Sequence, residues 1–503
     1  MPDVRYVCLS DLHFGAENSI LTRLDPDTLR VDHTKPSPAL EGLLACLRSV
    51  TERNEGSRKP TLILAGDIFE LALARDNDAA MVFEMFVQQA LGPDGIFDSN
   101  VYFIPGNHDH HLWEGVREKQ YSDYVRARPP TEQLEPPWHV TRMRETATQR
   151  QVSSDLVTSL LDRALGQRSG VNVRVVYPNL ALDTPSSNRH VFIHHGQFLE
   201  AMYTIMSTAR DMVFPNQLPP PWTETPVWAW EAENFAWIDF FWSTLGRSGA
   251  VGRDVGVIYA SLQSLDALRP LNRNLARGLA GRARPKILQR MYARVLAWVF
   301  DAIAKKGQRL ERGRREAVLS PEAQVGLHRY LESPLLDQIK REYKKEYGEL
   351  QRVPGDVTFV FGHTHKPFEA VRRFVGYENP VCVYNTGGWV VDSTEPRPLH
   401  GAAAVLFDDD LNSASLRFFN QSSDRSSYCV GVAHCGAPNP FAAKLDELVQ
   451  PDEDPWKSFS RVAAELVEER HQALYRIIAQ VQGVAPRRRA GWRTWRERHW
   501  GTR

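Results

Sequence analysis

An α/β layered core interrupted by a helical insertion is the fold class the sequence predicts, and three features predict it. Short apolar runs alternate with helical stretches through the first 200 residues. From about 200 to 352 the pattern is mostly helical. Strand character then returns between 357 and 419. The 503 residues are 42% hydrophobic, enough for a sizeable core and for one to three domains.

The runs at 6–9, 61–64, 101–104, 173–176 and 191–193 are short and rich in β-formers, and several end in polar or Gly-containing turns. That is the signature of buried strands. Stretches 39–51 and 79–91 carry helical spacing between them, as a layered α/β core requires. The insertion opens on a Pro-rich segment with Trp222, Trp228, Trp230, Trp237 and Trp242. Its stretch 272–315 is strongly basic and contains an apolar stripe of Ile287, Leu288, Met291, Val295, Leu296 and Val299. Leu335, Leu336, Ile339 and Tyr343 form a second stripe. Strands are expected again at 357–361, 380–384, 402–407 and 415–419, and a last helix at 459–481. The tail 486–503 interleaves Arg487, Arg488, Arg489, Arg493, Arg496 and Arg498 with Trp492, Trp495 and Trp500. The domain reading is a core of 1–200 and 353–425, an insertion of 201–352 and a C-terminal extension of 426–503.

Charge is balanced, 61 basic against 61 acidic residues, so net charge selects no partner. Five scattered cysteines suit a reducing compartment rather than a disulfide framework. Cys429 and Cys435 flank His434 at a spacing that fits no common zinc pattern. No segment reaches the roughly 18 apolar residues of a membrane span. A cleavable leader would remove part of the first motif, so a cytoplasmic location is expected, with peripheral membrane association as an extension of it.

Five segments place Asp, Asn or His directly after a strand-like run. They are Asp11-Leu12-His13, Gly66-Asp67, Gly106-Asn107-His108-Asp109, His194-His195-Gly196 and Gly362-His363-Thr364-His365. Strand ends are where ligand sites assemble in α/β sheets. Carboxylate, amide and imidazole donors together suit Mn, Fe, Co, Ni or Zn, and the lack of thiolates argues against a structural zinc site. An i, i+2 pair such as Asp11 and His13 converges only where the backbone leaves regular strand geometry. Each segment alone is weak, since Asp-x-His and Gly-Asp are common in turns. Their order and shared context are not explained by unrelated turns.

Taken together the segments resemble the calcineurin-like metallophosphoesterases, whose pattern runs Asp-x-His, Gly-Asp, Gly-Asn-His-Asp/Glu, a later His, then Gly-His-x-His. The resemblance covers about 4–200 and 356–420. It implies a four-layer αββα sandwich and a site for two divalent transition-metal ions. It also implies that Asp11, His13 and His365 hold the first ion, Asn107, His195 and His363 the second, and that Asp67 bridges them. His194 is the rival to His195, which is preferred because it precedes a turn glycine. Two ions about 3.5–4 Å apart can activate water and clamp a phosphate. His108 is then expected at the open face, binding phosphate or protonating the leaving group. Asp109 is expected to orient a neighbouring His. His110 and His111 read equally as loop residues or substrate contacts.

The implied activity is hydrolysis of a phosphomonoester, phosphodiester or pyrophosphate in a phosphorylated substrate. A nuclease and a non-catalytic scaffold of the same fold are the alternatives. The insertion leaves after one proposed ligand and returns before another, so it is expected to cap the cleft. Its Trp cluster reads as subdomain core or as an apolar wall. The basic stretch and the Arg/Trp tail read as solvated surface or as contacts for nucleic acid or anionic membrane.

Overall fold

The computed structural model describes residues 2–25, 27–144, 152–166, 169–184, 188–214, 225–239, 311, 317–347 and 355–481. The basic stretch 272–315 apart from Glu311, the stripe at 287–299, Trp222, Trp242 and the tail 486–503 lie outside the described residues.

In chain order the first elements are β1 (Tyr6–Leu9), α1 (Pro38–Thr51), β2 (Thr61–Leu64), α2 (Asp76–Ala90), β3 (Asn100–Phe103), α3 (His110–Arg126), α4 (Asp155–Leu165) and β4 (Asn172–Val175). Next come β5 (Asn179–Asp183), β6 (Arg189–His194), α5 (Ile205–Val213), α6 (Pro226–Asp239), α7 (Pro321–Tyr330) and α8 (Leu336–Tyr347). The chain then forms β7 (Asp356–Phe361), β8 (Phe368–Arg372), β9 (Val381–Asn385), β10 (Gly401–Phe407), β11 (Ser413–Asn420), β12 (Gly431–Ala433), α9 (Pro440–Leu448) and α10 (Trp456–Val481).

The strands make a seven-stranded sheet, β12-β11-β10-β1-β2-β3-β4, and a five-stranded sheet, β5-β6-β7-β9-β8. β1 to β4 run parallel, as do β6, β7 and β9. Parallel strands are covered on both faces, which is why Thr61–Leu64 is buried at all four positions. Between the sheets, Cys8, Ile63 and Ile104 meet Leu180, Val191, Ile193 and Val360. Outside the first sheet, Val7, Leu9, Leu62 and Leu64 pack with Leu40, Leu43, Leu47 and Phe83 of α1 and α2. Outside the second, Phe192, Phe359, Phe361 and Val383 pack with Leu327, Tyr330, Leu331, Leu335 and Ile339. Two sheets flanked by helices give the expected sandwich.

That last cluster corrects the placement of residues 317–347. Taken from sequence as part of a cap, α7, α8 and the turn Leu331–Leu335 between them form the outer helical layer of the second sheet. The stripe of Leu335, Ile339 and Tyr343 is buried there because Phe192 and Phe359 need an apolar partner. His110 and His111, read equally as loop residues or substrate contacts, open α3. β5, β8, β12, α3, α4 and α9 had no sequence expectation. α3 spreads charged residues over several faces, so its periodicity is faint. α10 is part of the body: Phe459, Ala463 and Val467 are buried in the core beneath the first sheet. Arg470 donates to the backbone oxygens of Ser19 (3.2 Å) and Thr22 (2.5 Å).

Candidate metal centre

The C-terminal ends of β1, β2, β3, β6 and β7 lead directly into the five motif segments. The chain must turn sharply there to aim residues two apart at one point. Asp11, His13, Asp67, His363 and His365 do so with φ of 51°, 46°, 52°, 66° and 58°. The left-handed region costs roughly 1–2 kcal/mol for each such L-residue, and such strain persists where surrounding structure holds it. Asp11 N donates to Gly66 O (2.9 Å), His13 N to Asp67 O (2.9 Å) and Gly362 N to His195 O (2.8 Å). Close approach also demands glycine at two places. A Cβ on Gly362 would lie 2.1 Å from Asp11 Oδ2, and one on Gly106 would lie 2.4 Å from Asp67 Oδ1.

The side chains gather into two donor sets. In one, single donor atoms of Asp11, His13 and His365 lie within 4.8 Å of one another; in the other, those of Asp67, His195 and His363 do. His365 Nε2 is 3.3 Å from Asp11 Oδ1, and His195 Nε2 is 3.2 Å from Asp67 Oδ2 and 3.1 Å from Asn107 Oδ1. Asp67 Oδ2 also stands 3.7 Å from His13 Nε2 in the first set. Metal–donor bonds near 2.1 Å put neighbouring donors about 3.0–3.4 Å apart. Most of the observed separations have that size, and the donors fit borderline divalent cations.

The family model for calcineurin-like phosphoesterases matches residues 4–207. The chain carries a calcineurin-like phosphoesterase domain. Comparison with curated proteins finds no match. The matched segment holds Asp11, His13, Asp67, Asn107 and His195. His363 and His365 arrive from β7, beyond the match, through pairing of β7 with β6.

Outer residues of the donor cluster fix the imidazoles. His13 Nδ1 donates to Glu70 Oε2 (2.8 Å), His365 Nδ1 to Asp392 Oδ2 (3.0 Å) and His195 Nδ1 to Ala65 O (3.1 Å). With each Nδ1 proton so engaged, Nε2 faces the donor cluster as a metal ligand must. Glu70 and Asp392 were not singled out from the sequence. Glu70 stands in the segment Gly66-Asp67-Ile68-Phe69-Glu70, so its nearness to the candidate donor Asp67 was the available signal. Asp392 lies 27 positions beyond His365 and had none.

The charge balance calls for cations. Burial pushes the Asp67 and Asp11 carboxyls up, but His195 and other imidazoles outweigh it, holding Asp67 well below the usual range and Asp11 at about 2. In return, His195 is pushed up to about 9: burial opposes this, and Asp67 and Asp11 overcome it. A proton there occupies the electrostatic position that a divalent cation would take.

Three expectations meet a different arrangement. His108 was expected at the open face, but it is 1% exposed, its Nδ1 donates to Glu70 Oε1 (2.7 Å), and its ring stands edge-on to His13. It occupies the wall because Glu70 ties it to His13. Asp109 was expected to orient a His. Its carboxylate instead accepts from the backbone N–H groups of Gly106 (2.6 Å) and Ile68 (2.8 Å), joining the loops that carry Asn107 and Asp67. Burial and the Asp67 charge push Asp109 up to about 7. His110 reaches away from the donors to Glu231 (2.9 Å) of α6, which also accepts from Tyr177 OH (2.8 Å). Of the rivals, His195 faces the donors, while His194 packs on Phe198 and Tyr330. Cys429 and His434 are exposed, all five cysteines are free thiols, and no described metal cluster includes Cys429, His434 or Cys435. No described helix is long and apolar enough to cross a membrane.

Proposed function

We propose that this protein hydrolyses a phosphate ester or pyrophosphate bond with a pair of divalent transition-metal ions. The observation that carries the reading is the pair of buried donor sets meeting at Asp67, one with Asp11, His13 and His365, the other with Asn107, His195 and His363. Two cations there would lower the pKa of an intervening water and draw off charge that builds on the phosphate oxygens. The chain's own part is positional. Asp67 supplies negative charge to both sets, Asp109 holds the Asp67 and Asn107 loops together, and Glu70 keeps His13 and His108 in fixed tautomers. His108 lies at the wall of the first set, where its Nε2 is the atom proposed to meet phosphate or the leaving-group oxygen.

The test measures metal content by elemental analysis and turnover of a chromogenic phosphodiester in the presence of Mn(II). Wild type is expected to hold about two ions per chain and to turn over. Asp67→Asn is expected to lose both properties while keeping the far-UV circular dichroism of the folded protein. A folded, metal-loaded wild type inert toward phosphomonoesters, diesters and pyrophosphate would leave the scaffold reading in its place.

A further inference from the structure

We propose that Glu200 is an additional carboxylate ligand of the second metal set; this rests on the metal reading above. Glu200 follows the short helical turn Gln197–Leu199, only five residues after His195. Its Oε1 stands 3.4 Å from His363 Nε2, and its side chain is 10% exposed. That separation from His363 is one that two donors on a common cation show; Glu200 stands just outside the group that Asp67, His195 and His363 form within 4.8 Å, so its carboxylate joins them by turning inward on an ion. No other element of the proposed ligand pattern calls for an acid at this position.

Charge gives the placement a purpose. The first set owns a carboxylate, Asp11, besides the shared Asp67. The second owns only the neutral donors Asn107, His195 and His363. Glu200 supplies the missing anion, so each cation has one carboxylate of its own and a half share of Asp67. Harder oxygen donors of this kind favour Mn-like over softer ions.

The turn that carries the carboxylate is also held in place before any ion arrives. Its turn is pressed against the outer helical layer: a Cβ on Gly326 of α7 would fall 1.9 Å from Leu199 O. Glu311 N donates to Glu200 Oε1 (3.2 Å). The buried Lys366, next to the ligand His365, donates to Glu311 Oε1 (3.2 Å). Glu311, itself held by Lys366, therefore braces this acid from a position 111 residues further along the chain.

Titration of metal-free protein with Mn(II), followed by calorimetry and electron paramagnetic resonance, tests the assignment. Glu200→Gln keeps an oxygen that can accept from Glu311 N and removes only the charge. It is expected to weaken the second class of Mn(II) site by about 10–100-fold while leaving the first class unchanged. In the Co(II)-loaded protein the visible absorption of the second ion is expected to change. Glu200→Asp, which keeps the charge on a shorter arm, is expected to recover part of the affinity. Wild-type affinity and an unaltered Co(II) spectrum in Glu200→Gln would overturn the proposal and leave the two-metal reading standing. A wild type that binds no Mn(II) would overturn both.

Discussion

Glu70 holds two imidazoles at once, His13 through Oε2 and His108 through Oε1. Burial would raise its pKa, but His108 and His13 hold it well below the usual carboxylate range. Its negative charge fixes which nitrogen of each ring carries the proton, and so aims His13 Nε2 at the first donor set. Glu70→Gln offers one acceptor oxygen and one NH2 group, so one of the two rings must meet a donor with a donor. The expected outcome is a loss of about 10–100-fold in affinity for the first ion, with the second class less affected. Mn(II) titration reads this directly, and equal affinity in wild type and variant would show that the Glu70 contact is structural only.

At the scale of the element, the segment after the insertion behaves as core. Leu335 is fully buried at the junction of α7 and α8 and belongs to the cluster on the outer face of the second sheet. Leu335→Ala is expected to cost about 2–5 kcal/mol, read as a shift of the urea unfolding midpoint. A loosely attached cap would tolerate the change with almost no shift in the global transition. Position in the sandwich matters here because β7, covered by these helices, delivers His363 and His365. A weakened outer layer is therefore expected to lower metal retention near the unfolding transition.

For the whole molecule, the packing limits what can be removed without loss of chemistry. None of the five motif segments, and neither Glu70 nor Asp392, lies between 240 and 310. Replacing 240–310 with a short flexible linker closes a loop at little entropic cost. It is expected to preserve metal content and turnover of a small chromogenic ester, while changing the preference among larger phosphorylated substrates. Replacing 215–345 is a different experiment, because it strips α7 and most of α8 and exposes Phe192, Phe359 and Phe361. That variant is expected to aggregate. If the shorter replacement is soluble but metal-free, the segment 240–310 supports the centre itself rather than substrate choice.

The strands and the inner donors could be read from the sequence because both are local signals. A buried parallel strand is a short apolar run, and a candidate donor at its end follows within a few residues, as Asp11 follows Leu9 and His363 follows Phe361. Even the choice between His194 and His195 has a local basis. Side chains alternate along β6, so His194 shares the outer face with Phe192, and His195 is turned toward the donors. Distant partners carried no such signal. Asp392 reaches His365, Glu231 reaches His110 and Glu200 reaches His363 only once the sheets and helices are packed. The role of 317–347 was hidden for the same reason: an apolar helical stripe shows that a face is buried, but not against what. Periodicity along one chain determines which residues leave water, whereas the partner they meet depends on contacts between segments far apart in sequence, and those the tertiary structure alone decides.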